Sequence, residues 1–358
     1  MKFCYGVSDM GKRSEYNENL KKEKTLKFRE LEAILPTYVH PYLDSMVVDY
    51  QINTLIAYAR DLITFFEFLL EMNPTLKGLA IKDIPESVLT ELTIQDITEY
   101  RNYLSLNNGI YEHSNQASSI ERRMAALRGF FNDAYATGIL NVNPLILQNR
   151  HARKRTHKKE VVYMNQEEVG SFVHAVESTM VKSPKQQKFC EKTKYRDKAI
   201  ITLMLHTGIR ISECVGLDLD DVDFNNHTIR IVRKGGDEAS LFFNVEVSEA
   251  LFEYIELERR HFLADENEKA LFLSSQKKRM AVRSIQMMVK KYAKESVSHK
   301  NITPHKLRST YGTNLYETNS DIFAVSERLG HRNLNTALCY VTASEKKKKE
   351  SGMVNPYE

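Results

Sequence analysis

A stretch near the carboxyl end, residues 303–340, most constrains what this chain can fold into. It reads TPHKLRSTYGTNLYETNSDIFAVSERLGHRNLNTALCY. Thr303 and Pro304 predict the start of a helix, because a threonine side chain caps free backbone N–H groups and proline is tolerated at the first helical position. Gly330 is expected to end a second helical run, and Tyr340 to lie in a further short helix. The stretch therefore predicts three short helices in succession.

Four polar side chains of this stretch favour a functional site. His305 and Arg308 lie three residues apart, on one face of their helix. With His331 and Tyr340 they supply two imidazoles, a guanidinium and a phenol, a set suited to binding and attacking a phosphate. A lone histidine or tyrosine in a helical protein is more often a packing residue, and the chain has 18 tyrosines. The ordered set shifts the balance towards chemistry.

Length and composition predict two folded domains. At 358 residues the chain is too long for one compact core of ordinary size. Its 42% hydrophobic and 27% charged residues exclude a disordered chain. The net charge of +4 says little about partners. The density of basic residues between positions 150 and 159 says more, and it fits either a segment held along a polyanion or a solvated linker.

The cysteine positions and the hydropathy of the sequence indicate in which cellular compartment the protein is found. Four cysteines, at positions 4, 190, 214 and 339, show no CxxC spacing, which favours reduced thiols over disulfides or a zinc site. No signal peptide is recognisable, and no run reaches the roughly 18 apolar residues of a membrane span. We therefore expect a cytoplasmic protein. A glycine-rich nucleotide loop and an HExxH motif are both absent from the sequence, so neither nucleotide nor zinc hydrolysis is indicated.

The amino-terminal half predicts a small helical domain over residues 25–149, after a polar extension over residues 1–24. Helical segments are expected near 26–43, where prolines interrupt, and near 93–106. An apolar stripe at helical spacing from Leu55 to Leu69 must pack on other helices. A last helix begins near Ser118 with a capping box. Its outer face is either solvated or lies on DNA phosphates, and it carries Arg122, Arg123 and Arg128.

A basic linker over residues 150–160 precedes a second domain over 161–344 and a charged tail over 345–358. Asn165 and Glu168 predict a helix start, and the basic residues 182–194 predict a loop. A buried helix is expected to end at Gly208. Two β-type runs, Thr228–Arg233 and Ser240–Val245, flank the sequence KGGD and predict a hairpin.

These motifs together resemble the tyrosine recombinases, the phage integrase family. The resemblance is carried by H-x-x-R at His305, G-H-x-x-x-x-T at Gly330, Tyr340, and T-G-I-R-I-S-E around Arg210. It implies a mainly α fold, with a four-helix SAM-like core-binding domain and a mixed α+β catalytic domain that contains a small antiparallel hairpin or sheet. It also implies a catalytic set, with Tyr340 as nucleophile: Arg210, Lys234, His305, Arg308, His331 and Tyr340. Members of the family often place a basic residue after the hairpin glycine, where this chain has Asp237 and Glu238.

The resemblance implies that DNA strands are cut and rejoined through a 3′-phosphotyrosine. A phenol of ordinary pKa about 10 needs cationic neighbours and a proton acceptor, for which His305 is the candidate. Lys234 would protonate the leaving 5′ oxygen. Glu213 is expected to support Arg210 or His305, with a purely structural role as the alternative. Two arginines can neutralise the phosphate charge, so neither a metal nor another cofactor is expected.

Partners and biological role follow from the same resemblance. A homotetramer on two duplexes of a double-stranded DNA recombination site is expected, with an accessory or regulatory protein as a further candidate partner. Linker contacts to DNA are expected from Arg153, Lys154 and Arg155. The R-K-G-G hairpin and the length resemble Xer proteins of Gram-positive bacteria, which resolve chromosome dimers.

Three other readings of the sequence are weighed against this one. An integrase of a mobile element would use the same chemistry. A catalytically silent DNA-binding regulator belongs to another class, yet it would not need the complete set of polar residues. A metal site built from His305, His331 and Cys339 is disfavoured, because Arg210 and Arg308 would repel the cation.

Overall fold

The computed structural model describes residues 15–105, 117–146, 161–178, 184–233, 236–331, 333–344 and 352–353. They divide into two compact units, one within Glu15–Lys158 and one within Lys159–Glu358. We call these the amino-terminal and carboxyl-terminal units. The mainly α fold predicted from the sequence is confirmed.

The amino-terminal unit is entirely helical in its described part. Its α-helices are α1 Glu15–Glu32, α2 His40–Ser45, α3 Ile52–Met72, α4 Ser87–Glu91, α5 Ile94–Ser105 and α6 Ala117–Ala136. The stripe predicted on α3 is buried, and its rings form edge-on contacts with those of α5 and α6, which carry Tyr100 and Phe131. The longest helices of the unit, α3, α6 and α1, therefore share one aromatic core.

The carboxyl-terminal unit combines helices with a small sheet. Its α-helices are α7 Gln166–Glu177, α8 Pro184–Lys192, α9 Lys194–Thr207, α10 Ile211–Gly216, α11 Val245–Glu253, α12 Val282–Ser296, α13 Pro304–Asn319, α14 Ile322–Leu329 and α15 Leu334–Ala343. The strands β1 Val222–Asp223, β2 Thr228–Val232 and β3 Glu238–Phe242 pair antiparallel in the order β1, β2, β3. The predicted hairpin is thus present, with Val232 opposite Glu238 at its turn.

Helix α9 lies at the centre of this unit. Most of its side chains are buried, and it packs against α7, α11 and α13. It ends as predicted at Gly208, which takes a left-handed conformation at φ 63°. A β-carbon at Gly208 would lie 2.5 Å from the Tyr311 ring and 2.7 Å from Leu329, so only glycine allows α9, α13 and α14 to meet there. This meeting point positions the candidate site.

Three predictions of local structure are wrong. The first helix was expected to start near residue 26, but α1 begins at Glu15, because glutamates and lysines four residues apart support a helix as well as they suit solvent. The loop predicted over 182–194 contains α8, which starts at Pro184 and continues with long-chain helix formers. Thr303 precedes α13, but its side chain makes no capping hydrogen bond.

Other local predictions are confirmed. Asn165 and Glu168 form the predicted capping box, since the Asn165 side chain accepts from the Glu168 N–H and the Glu168 carboxylate accepts from the Asn165 N–H, each at 2.8 Å. Gly330 ends α14 in a left-handed conformation at φ 60°, and Tyr340 lies in α15. The three successive helices expected between residues 303 and 340 are therefore present.

None of the helices in the described residues is long and apolar enough to cross a membrane.

Candidate active site

Arg308 occupies the junction of two helix ends. It lies on α13 with only 5% of its surface exposed. Its Nη1 donates to the Gly208 carbonyl at 2.5 Å, and its Nη2 donates to the Leu329 carbonyl. These carbonyls belong to the carboxyl ends of α9 and α14, where backbone oxygens lack helical partners and favour a positive charge. Burial, and then the charge of Arg210, lowers the pKa of Arg308 to about 10, which still leaves it protonated at neutral pH.

Arg210, the N-cap residue of α10, reaches the same turn. Its backbone N–H donates to Oε2 of Glu213 at 2.9 Å, and its Nη1 donates to Oε1 at 2.8 Å. Its Nη2 donates to the Gly330 carbonyl at 3.3 Å. Glu213 is buried, so the carboxylate fixes both the backbone and the guanidinium of Arg210. Of the two partners that the sequence left open for Glu213, the structure brings it to Arg210.

Tyr340 lies buried beside these arginines. It projects from α15 with 3% of its surface exposed and packs with Val325 and Leu329. Burial raises the pKa of Tyr340 to about 12, while Arg308 and Arg210 act in the opposite direction. The phenol is therefore protonated at neutral pH. Any attack by its oxygen has to be coupled to removal of the proton.

His331 stacks on the tyrosine ring. The two ring centroids are 5.9 Å apart and the planes differ by 18°. Desolvation, followed by the charges of Arg308, Arg210 and Arg233, lowers the pKa of His331 to about 4. Its Nδ1 is buried, and no hydrogen-bond partner for it lies in the described part of the chain. A neutral His331 can therefore donate or accept one hydrogen bond without adding charge.

His305 lies at the exposed edge of the site, on the first turn of α13. Partial desolvation and the cations Lys306, Arg308 and Arg210 lower its pKa, although the residue as a whole is exposed. A lowered pKa keeps the imidazole neutral at pH 7, which is the form that accepts a proton. Lys234 falls outside the described residues, so its predicted role stays a prediction.

The predicted DNA-binding residues fall into two groups. Arg153, Lys154 and Arg155 lie outside the described residues. On α6, Arg122 donates to the carboxylate of Asp61, whose side chain is 5% exposed, and Arg123 lies 3.9 Å from the same carboxylate. Arg128 lies 3.8 Å from Glu121. These arginines thus have acidic partners within their own unit, and contact with DNA remains a prediction for them.

Two contacts of the site were not predicted from the sequence. Gly312 on α13 faces the ring of Tyr340, since a β-carbon there would lie 3.0 Å from Cζ of Tyr340 and 3.0 Å from Leu329. The Arg233 guanidinium lies against Gly330. The only sequence signal for Arg233 was its position next to Lys234 in the R-K-G-G run.

The described residues contain no group of three or more histidines, cysteines, aspartates or glutamates placed to hold a metal ion. Cys190, Cys214 and Cys339 are free thiols, the first two buried.

Two family models and several curated proteins match this chain. Residues 162–347 match the phage integrase family, and residues 34–151 match the phage integrase SAM-like domain. The chain is 29% identical over 347 residues to tyrosine recombinase XerC of Caldanaerobacter subterraneus subsp. tengcongensis, covering 94% of this chain and 91% of that protein. It is 32% identical over 329 residues to tyrosine recombinase XerS of Streptococcus pyogenes, covering 85% and 91%.

Solved structures share the fold. A XerH recombinase in a post-cleavage complex with its palindromic difH substrate superposes with a TM-score of 0.62 at 21% identity, covering 85% of this chain and 79% of that one. The Tn1549 transposon integrase in complex with circular intermediate DNA gives 0.63 at 20% identity, covering 89% and 100%. Given the sequence matches over both domains, this chain belongs to the phage integrase family, the tyrosine recombinases.

Proposed function

We propose that this protein is a site-specific DNA recombinase with Tyr340 as its nucleophile. One observation carries the assignment to these residues: the carbonyls of Leu329 and Gly330, one turn before the tyrosine helix, are bound by Arg308 and Arg210. This arrangement holds two charged guanidiniums at one turn, and both act on the buried phenol of Tyr340 by lowering its pKa. Guanidinium forks match the oxygens of a phosphodiester.

The proposed step is a transesterification at phosphorus. The Oη of Tyr340 forms a bond to phosphorus while the bond between phosphorus and the 5′ oxygen breaks, leaving a 3′-phosphotyrosine and a free 5′ hydroxyl. The phenolic proton passes to His305, which its lowered pKa keeps neutral. Lys234 protonates the departing 5′ oxygen. Arg210 and Arg308 bind the non-bridging oxygens, whose charge grows in the transition state, and Glu213 holds Arg210 in place.

The reverse step explains strand joining. The phosphotyrosine retains the energy of the broken ester, so a 5′ hydroxyl from a second duplex can attack it and release Tyr340. Exchange of all strands requires four such sites, which is why we propose a homotetramer on two duplexes. The predicted contacts of the basic residues Arg153, Lys154 and Arg155 with phosphates would hold each subunit on its site.

Chromosome dimer resolution is the role we favour. The support is the similarity to XerC and XerS proteins at about 30% identity over most of the chain. Integration of a mobile element is the alternative, because it uses the same residues. An accessory protein remains a proposed partner. Recombination of a plasmid that carries two copies of a chromosomal site, without element ends, supports the first role, whereas activity restricted to element ends supports the second.

A covalent adduct tests the chemistry. Full-length protein is mixed with a library of nicked duplexes, in which cleavage lets the short 5′ strand diffuse away and traps the phosphotyrosine. We expect a denaturant-stable protein–DNA adduct for wild type and none for Tyr340→Phe, which keeps the ring but lacks the nucleophilic oxygen. A matched control is Tyr316→Phe on α13, outside the proposed chemistry, which should retain the adduct. DNA binding without any Tyr340-dependent adduct would instead identify a silent regulator.

A further inference from the structure

The hairpin turn fixes Arg233 next to the site. Arg233 follows the last residue of β2, and its backbone N–H donates to the Asp237 carbonyl at 2.7 Å. Its own carbonyl accepts from the Gly236 N–H at 3.0 Å. The backbone N–H and C=O of Arg233 are therefore both hydrogen-bonded within the hairpin. The direction of its side chain is set by the hairpin rather than by a free loop.

The guanidinium of Arg233 packs on the same helix end that Arg308 and Arg210 bind. A methyl group at Gly330 would overlap its Nη1 and Cζ and lie 2.8 Å from its Nε. Arg308 donates to the carbonyl of Leu329, and Arg210 donates to that of Gly330. Three guanidiniums, from the N-cap of α10, from α13 and from the hairpin, therefore converge on one turn.

The charges at this turn are out of balance. Glu213 is the carboxylate that acts on Arg308, and it is already bonded to Arg210. Both histidines are neutral at pH 7, because their pKa values are lowered. The Nε of Arg233 is buried and has no hydrogen-bond partner in the described part of the chain. Clustered cations with an unsatisfied donor are unfavourable unless an anion completes them.

We propose that Arg233 is a third phosphate-binding arginine, whose guanidinium binds a non-bridging oxygen of the DNA phosphodiester that Tyr340 attacks. The proposal rests on the proposed function, and it adds a residue to the catalytic set that the resemblance implies. One carboxylate against three guanidiniums leaves a net charge of about +2. This charge matches a phosphoryl group that gains negative charge as the fifth oxygen adds.

The alternative is that Arg233 only packs against Gly330. The two roles predict opposite effects on the free protein. If packing is its role, Arg233→Met should lower the melting temperature. If the cation is held for a ligand, Arg233→Met keeps most of the side-chain stem while removing charge repulsion, so the melting temperature of the DNA-free protein should stay the same or rise. A clear fall would overturn the proposal.

Binding of inorganic phosphate to the full-length protein tests the site without DNA. We expect calorimetric titration to give a weaker affinity for Arg233→Met by about tenfold or more, and an intermediate one for Arg233→Lys, which keeps the charge but loses the fork. Arg283→Met, at an exposed position on α12, is the control and should bind as wild type does. Equal phosphate binding by wild type and Arg233→Met, including no measurable binding by either, would overturn the proposal.

Cleavage of a chemically altered DNA supplies the second test. On the nicked duplex identified above, Arg233→Met should slow single-turnover cleavage by about 10- to 100-fold while changing DNA affinity less than threefold. When the phosphate at the cleavage position is replaced by an uncharged methylphosphonate, wild type and Arg233→Met should cleave at rates within about threefold. A defect of equal size on both substrates would contradict phosphate binding.

The two proposals fail in different ways. If no duplex gives a Tyr340-dependent adduct, the recombinase function fails, and the phosphate titration then shows only whether Arg233 binds an anion. If the adduct forms equally fast in wild type and Arg233→Met, the function stands and the role of Arg233 is refuted.

Discussion

His331 shows how the charge of the site acts on a single residue. Its pKa in the folded protein is about 4, whereas a histidine in an unfolded chain titrates near 6.5. Between these values the unfolded chain binds more protons than the folded one. Stability from this residue is therefore fully present above pH 6.5 and is lost as the pH falls towards 4.

A substitution isolates this contribution. We expect the free energy of unfolding of wild type to fall more between pH 7 and pH 4.5 than that of His331→Asn, by about 1–3 kcal/mol after allowance for partial exposure. Urea unfolding at both pH values measures the difference. If the two proteins lose the same stability on acidification, then His331 is not held neutral by burial and by the arginines.

At the residue scale, the sequence predicts those site residues that lie in short motifs, and it does not predict contacts between distant parts of the chain. The order of Arg210, His305, Arg308, His331 and Tyr340 is visible because the motifs are short and regularly spaced. The partner chosen by Glu213 was left open, since two partners were chemically reasonable. The contact of Arg233 with Gly330 was missed, because it forms where a hairpin turn meets a helix end nearly a hundred residues later in the chain.

Helices α9 and α14 serve the site mainly through their carboxyl ends. Gly208 and Gly330 end them in left-handed conformations, which exposes the last carbonyls to the arginines. Gly312 has a different purpose, because it lies within α13, where alanine is normally preferred by about 0.5–1 kcal/mol. Its value is the space that it leaves for the ring of Tyr340.

Two glycine substitutions separate helix propensity from this space. Gly312→Ala should push the ring of Tyr340, because the new methyl carbon would lie 3.0 Å from Cζ, and it should slow adduct formation by about 10- to 100-fold. Gly170→Ala is the matched control, since Gly170 lies in α7 and a β-carbon there has no atom within 4 Å. It should raise the free energy of unfolding by about 0.5–1 kcal/mol and leave cleavage unchanged. Equal cleavage rates for both variants would contradict the packing argument.

The elements that the sequence predicted well are those whose own residues follow a recognisable local pattern. Apolar spacing identified α3, the Asn165 capping box identified α7, and glycines between β-branched runs identified the hairpin. Helix α8 was mistaken for a loop, because its sequence is rich in charged residues, although most of them favour helices. Its buried residue Cys190 packs through tertiary contacts that a local sequence pattern does not show. Strand β1, only two residues long, has no pattern of its own and forms by pairing with β2.

At the scale of the whole molecule, the distribution of charge matters more than the net value of +4. Several arginines in the described units have acidic partners, as Arg122 has Asp61 and Arg230 has Asp221. Burial raises the pKa of Asp61, and Arg122 offsets part of that effect. Arg122 therefore stabilises its own unit by pairing with the buried Asp61.

The salt dependence of DNA binding tests separately the DNA contacts predicted for the linker and for α6. Replacing Arg153, Lys154 and Arg155 with glutamine should weaken DNA binding similarly on all sequences. It should also lower the slope of log affinity against log salt by about 1–3, since each lost phosphate contact removes about 0.9. Arg122→Gln should leave that slope unchanged but lower the free energy of unfolding by about 1–3 kcal/mol, because Asp61 stays buried with only the more distant Arg123 beside it. Salt titrations of binding and urea unfolding of both variants measure these effects. A reduced slope and full stability for Arg122→Gln would instead place that guanidinium on DNA.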